Sequence, residues 1–322
     1  MKRAAIGSAA ALLALLAGLS LLLPGGDLVA IARANPDLAA TILIELRLPR
    51  TMLALLYGAV LGASGAAVQA LFGNPLASPD ITGTSGGAAL GAVVTAYLFG
   101  IATPIGFAAG GIAGAGAALG LLPLLAGARA ETATLLLAGV AISALAGAAT
   151  ALALALAPSP FAFYDAFDWL MGSLVDRSLP QAGIAGAGAV AALVMLGAQT
   201  SALDRLALGE EVAQSLGDDL RRTRIAVVTA TAIGVGACVS VCGAIGFIGL
   251  VAPVIARRMT GHHPGRAMLP AALIGAALLL AADLLVRLAP LGRTLPVGVI
   301  TALVGAPVFV WLIVKSRWQA AL

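Results

Sequence analysis

The amino-acid sequence predicts an all-α polytopic membrane protein with about ten transmembrane helices and one short amphipathic helix in a connection. Three observations carry this. Of 322 residues, 61% are hydrophobic and 10% charged, against about 25% charged in soluble domains. The apolar residues fall into ten segments near the roughly 20 residues that a spanning helix needs. Ten such segments occupy most of the chain, so residues 1–322 read as a single transmembrane domain. Most of the 40 Gly and six of the 16 Pro lie inside these segments, which is tolerated where neighbouring helices re-satisfy the backbone and pack closely. Close helix crossings and broken helices are therefore expected.

Met1-Lys2-Arg3 followed by an apolar run to Leu23 has the outline of a signal peptide. The run is long for the apolar region of one, and it is read as the first span. Further spans follow at 51–72, 83–99, 104–126, 132–157, 181–199, 223–243, 244–259, 268–288 and 296–314. The segment 244–259 is short and holds Gly246, Gly249 and Pro253, so its limits are the least defined. With the N-terminus in the cytoplasm, the outside connections carry Arg33, Arg47, Arg50, Arg177, Arg287 and Arg293, and the other twelve basic residues lie inside. This positive-inside balance puts both termini in the cytoplasm.

Composition also excludes functions. Lys2 and Lys315 are the only lysines and neither follows a glycine, so the chain lacks a phosphate-binding P-loop and does not itself hydrolyse ATP by that route. The net charge of +4 comes from arginines scattered at helix ends, which argues against a nucleic-acid partner. Cys238 and Cys242, four apart in an apolar helix, read as packing thiols. His262 and His263, in the Gly/Pro-rich turn GHHPGR, read as solvated side chains. No cofactor or metal is expected.

Four places carry candidate chemistry. Arg47 and Arg50 flank Pro49 at the outer end of the second span; they either bind carboxylates of an external partner or snorkel to lipid headgroups. Gln69 and Asn74 put amides near the inner end of that span, either joining helices or lining a pathway. Asp283 lies one turn before Arg287 on the ninth span and reads as its i,i+4 ion-pair partner. LALGEEVAQSLGDDLRRTR at 206–224 is the most polar stretch. Its Gly209, paired Glu210 and Glu211, Ala213 and Leu216 three apart, and closing Gly217 read as a short amphipathic helix suited to docking a cytoplasmic partner.

The blocks LRLPR, SGAAVQALFGNPLASP, LLLAGVAIS, WLMGSL, LGEEVAQSLG, GAIGFIGLVAP, ADLLVRL and LPVGVITALVGAPVFVWLI run in order along nearly the whole chain. They resemble the permease subunits of ABC importers for iron-siderophores, haem and cobalamin. The resemblance implies a ten-helix permease in the bacterial inner membrane. It implies pairing with a second copy of itself, two cytoplasmic ATP-binding subunits, and a periplasmic substrate-binding protein that delivers a large chelate. Arg47, Arg50 and Arg287 match the external arginines that meet glutamates of the binding protein. Leu208, Gly209, Glu210, Glu211, Ala213, Leu216 and Gly217 match the coupling helix that enters a groove of the ATPase. Thr132 and Ala133 match the cytoplasmic gate, although the family often has a hydroxyl where this chain has Ala133; Gln69 and Asn74 join them as pathway candidates.

The expected cargo is an iron chelate, haem or siderophore, with cobalamin as the alternative. Two remoter readings have other signatures. An intramembrane serine protease would use Ser64 in Gly62-Ala63-Ser64-Gly65 with one of the two histidines as base. An ion-coupled secondary transporter would bury several ionisable groups, whereas only Asp283 qualifies.

Overall fold

The computed structural model describes residues 3–101, 103–127, 132–261, 263–289 and 295–320, and no strand occurs among them. The chain begins with α1 (Arg3–Leu22), α2 (Gly25–Ala34) and α3 (Pro36–Thr41), which runs through a π-helical segment at Ile42–Arg47 into α4 (Leu48–Leu71). A 3-10 turn at Pro79–Thr82 leads to α5 (Thr84–Tyr97), α6 (Pro104–Ala126), α7 (Thr132–Ala155) and α8 (Pro160–Leu170). Then come α9 (Leu179–Ala198), α10 (Thr200–Leu206), α11 (Glu210–Ser215), α12 (Leu220–Cys242), α13 (Ile248–Met259), α14 (Pro264–Leu288) and α15 (Val297–Ala320).

Ten of these helices correspond to the ten expected segments. Six described runs are long and apolar enough to cross a membrane: Pro36–Leu71, Ile105–Ala126, Thr134–Ala155, Leu179–Ala198, Leu220–Cys242 and Pro264–Leu288. Gly7–Leu22 and Val297–Trp311 are shorter apolar stretches. At about 1.5 Å per residue, α5 and α13 are too short to cross alone; a 3-10 turn and Gly83 precede α5, and non-helical chain precedes α13. These are the broken helices that the Gly and Pro content foreshadowed.

The helix of the second span begins earlier than the expected residue 51, because the chain is helical from Pro36 onward. Asn35 explains its start: the side chain accepts from Leu38 N at 3.1 Å, and Pro36 occupies the first helical position, where its missing N–H costs nothing.

α4 is the axis of the bundle, packed against α14, α13, α9 and α12. Small residues make this possible. A Cβ on Gly58 would lie 2.4 Å from the Gly275 carbonyl oxygen, and one on Gly62 only 2.0 Å from that of Ala271. Backbone therefore touches backbone where α4 crosses α14, the close approach that small residues permit in membrane helices.

The break before α13 is held from inside the core. The fully buried Tyr57 hydroxyl donates to the Gly243 carbonyl at 3.1 Å and accepts from Ile245 N at 3.3 Å. Non-helical backbone between apolar helices needs such partners or a cavity beside it, and residues 243–247 have both.

Candidate functional site

At one end of the bundle α1, α4 and α14 meet in a charged cluster. Asp283 of α14 is fully buried. It bonds Arg287 at 2.6 Å, one turn along, and also Arg50 of α4, whose Nε and Nη2 both lie 2.8 Å from Oδ1. A buried carboxylate requires such partners, because an unpaired charge there costs several kcal/mol. Arg287 further donates to the Ser20 carbonyl at 2.7 Å and to Ser20 Oγ, while Arg47 donates to the carbonyls of Leu21 and Pro24. Two arginines thus cap the last turn of α1, where cations complement the helix dipole.

The three sequence-predicted arginines do come together, but on intramolecular partners. Arg287 is 7% exposed and its guanidinium is engaged inside the protein, whereas Arg50 is 17% exposed. The i,i+4 spacing revealed the Asp283–Arg287 pair. The Asp283–Arg50 bond joins residues 233 apart, and no local signal points to it.

Gln69 is fully enclosed, and its Nε2 donates to the Leu250 carbonyl at 3.3 Å, joining α4 to α13. Of its two open readings, helix joining is the one this geometry matches. Asn74 Oδ1 accepts from Leu76 N at 2.9 Å and shapes the turn after α4. Thr132 and Ala133 begin α7, but their side chains lie outside the described residues. Ser64 Oγ is buried without a hydrogen-bond partner among the described residues, so nothing there activates it as a nucleophile; His262 lies outside them.

Of two cavities in this part of the bundle, the first adjoins the break at 243–247. It measures about 700 Å³, is lined by Met171, Ala244, Gly246, Gly298, Leu303 and Pro307 and is almost wholly apolar. A polar one of about 460 Å³, lined by Asp165, Asp168, Asp176, Arg177 and Gln181, was not anticipated. Most of its lining residues come from α8, the connection after it, the first turn of α9 and the end of α12.

The segment 200–224 forms α10, α11 and the first turn of α12. Gly209 and Gly217 have φ of 107° and 91°, values that glycine adopts without strain, and they bracket α11 as its sequence indicated. Arg205 clasps Asp218 bidentately, Nε to Oδ2 at 2.6 Å. Arg224 of α12 bonds Glu210 at 2.6 Å, so the acidic start of α11 is tied to its neighbour as well as complementing its own dipole.

The apolar face of α11 corrects the expectation. Ala213 is fully buried, so its methyl group belongs to the packing of the segment. The exposed stripe is Leu208 at 64%, Val212 at 43% and Leu216 at 56%, spaced four apart. Val212 was missed, since six helical residues are too few to display a period.

The Arg205 hydrogen bond holds the Asp218 carboxyl below its ordinary value. A depressed carboxylate stabilises the fold at pH values above its unfolded range and ceases to as pH falls through the folded value. Amide exchange of residues 205–219, corrected for its intrinsic rate, is therefore expected to quicken in acid. Arg205→Gln should make it fast at neutral pH as well; equal protection of parent and variant at pH 7 would contradict the clasp.

A model of the FecCD transport family matches residues 6–315. The vitamin B12 import system permease protein BtuC of Vibrio cholerae serotype O1 is 39% identical over 284 residues, 85% of this chain and 82% of that protein. BtuC of Salmonella typhimurium is 42% identical over 281 residues, 84% of this chain and 83% of that protein. Among solved structures, an inward-facing metal-chelate type ABC transporter superposes with a TM-score of 0.84 at 27% identity, over 96% of this chain and 98% of that one. An all-helical bundle with broken helices and a polar clasp at one end, matched along nearly its whole length, belongs to the FecCD transport family: the chain is the permease subunit of an ABC importer, and ATP hydrolysis lies on a separate partner.

Proposed function

We propose that this permease carries vitamin B12 or a related corrinoid into the cytoplasm. The observation that supports it is the identity of 39–42% to permeases named for vitamin B12 import, over more than four-fifths of the chain. That favours the cobalamin alternative over haem or siderophore. An iron chelate stays as the second reading because the metal-chelate type transporter is similar over 96% of the chain.

In this reading two copies of the chain face each other across a pathway, with the apolar cavity beside 243–247 contributing to each half. A surface of small and apolar residues suits passage of a large cargo, since it offers no fixed charges that the cargo must match. Two ATP-binding subunits engage the Leu208–Val212–Leu216 stripe, whose exposed side chains otherwise have no apolar neighbour to cover them. A periplasmic binding protein meets the arginine cluster through Arg47 and Arg50, and Arg287 acts behind them by holding Asp283. Both termini are cytoplasmic, following the positive-inside balance. ATP binding then biases a two-state permease between outward-open and inward-open forms.

The test is transport by the assembled importer in proteoliposomes, with its binding protein outside and ATP inside. Labelled cyanocobalamin is expected to accumulate well above an ATP-free control, with ferric siderophore and haem near that control. The reverse ranking would replace the corrinoid by an iron chelate.

A further inference from the structure

α1 is fastened to the bundle in its last turn, where Ser20 Oγ lies 2.7 Å from Thr51 Oγ1 and the Ser20 and Leu21 carbonyls accept from Arg287 and Arg47. Along its length α1 leans on α14 and touches α4 much less. A groove of about 630 Å³ therefore opens between α1, α4, α9 and α14. Leu13, Leu56, Ala59, Leu193 and Leu269 are among its walls, and the polar side chains lining it among the described residues are Thr200 and Arg266.

Three of the four walls, α4, α9 and α14, belong to runs long and apolar enough to cross a membrane, and the fourth, α1, is a shorter apolar helix. The medium that meets such a groove is acyl chain, not water. The charged group among these described residues, Arg266, is available. The Arg266 side chain is 67% exposed and its nearest carboxylate, Asp204, is 4.0 Å away, the limit of ion-pair contact. The other oxygen of Asp204 already accepts from Gly265 N at 2.8 Å. No hydrogen bond of the Arg266 guanidinium is made among the described residues, so its planar fork is open to a phosphate, which it can engage bidentately.

We propose that this groove binds one anionic phospholipid, with an acyl chain lying between α1 and α9 and the phosphate on Arg266. A basic residue at the mouth of a cleft between spanning helices is the arrangement that favours anionic headgroups. The lipid would fill the space that α1 leaves and brace the α1 side of the bundle beside α10.

Native mass spectrometry of the full purified chain, given equal amounts of phosphatidylglycerol and phosphatidylethanolamine of the same acyl composition, tests this directly. The parent is expected to retain phosphatidylglycerol about fivefold over phosphatidylethanolamine, the preference that one arginine near a membrane surface supplies. Arg266→Gln should bring that ratio to about one while some lipid stays bound. Gly197 lines the groove, and a Cβ there would meet nothing within 4 Å. Gly197→Phe should thus fill the groove without disturbing its walls, lower retention of both lipids and leave the helical circular dichroism unchanged. Equal retention of the two lipids by the parent, an unchanged preference in Arg266→Gln, or unchanged retention in Gly197→Phe would each overturn the proposal. So would lipid bound by the monomer and excluded from the dimer, which would make the groove a contact between copies.

Discussion

A chain carrying Val212→Glu and Leu216→Glu is expected to insert and fold normally and to lose transport by at least about 100-fold. Both side chains are already largely exposed, so the substitutions remove little from the folded protein itself. Burying a valine or leucine against a partner contributes about 1.5–3 kcal/mol each, and a carboxylate pressed into the same apolar contact adds desolvation without a partner. The two changes together exceed the ~2.7 kcal/mol that a 100-fold loss requires. The ATPase should either dissociate during purification or hydrolyse ATP without moving cargo, while the helical circular dichroism stays that of the parent. Transport at the parental rate would remove α11 from the coupling path. Ala213→Arg would be a poor substitute. Its site is fully buried within the segment, so loss of function there would report local misfolding as readily as lost contact.

The positions of the long helices were legible because each needs a long apolar run, and such runs survive any detail of packing. Glycine crossings were legible too, since Gly58, Gly62 and Gly65 on one helix imply a neighbour at close range. α8 was missed although Ser159 caps it, with Oγ accepting from Ala162 N at 3.1 Å, and Pro160 opens it. Its mixture of aromatic and acidic residues over 11 positions looks like a connection. The limits of α11 were readable from two glycines at positive φ, but not which side faces outward, because that depends on how α10 and α12 pack around it. The least legible feature was the second guanidinium on Asp283, a contact set by the crossing of α4 and α14. Cargo was hidden for a different reason: small apolar linings recognise shape, and shape is assembled from elements far apart in the sequence.

That second guanidinium makes Asp283→Asn the single substitution with the largest expected cost to stability. Asp283 is fully buried and balances Arg50 and Arg287 at once. An asparagine of the same shape keeps part of the hydrogen bonding but leaves Arg287, 7% exposed, without an opposite charge. Removing one partner of a buried ion pair costs about 3–5 kcal/mol, and at the few degrees per kcal/mol typical of larger domains this lowers the melting temperature by on the order of 10 °C. Arg50→Gln should cost less, because Asp283 retains Arg287 and Arg50 is the more exposed of the two. The double variant Asp283→Asn with Arg287→Met should recover part of the loss, since it removes the guanidinium that the single variant leaves buried without an opposite charge. Thermal unfolding of the purified chain in detergent, followed by circular dichroism, ranks the four proteins. If Asp283→Asn melted with the parent, the cluster would be a solvated surface group, and its arginines would be free to turn outward as independent docking side chains. If the double variant regained stability, the penalty would be traced to the stranded guanidinium and not to the shape of the crossing.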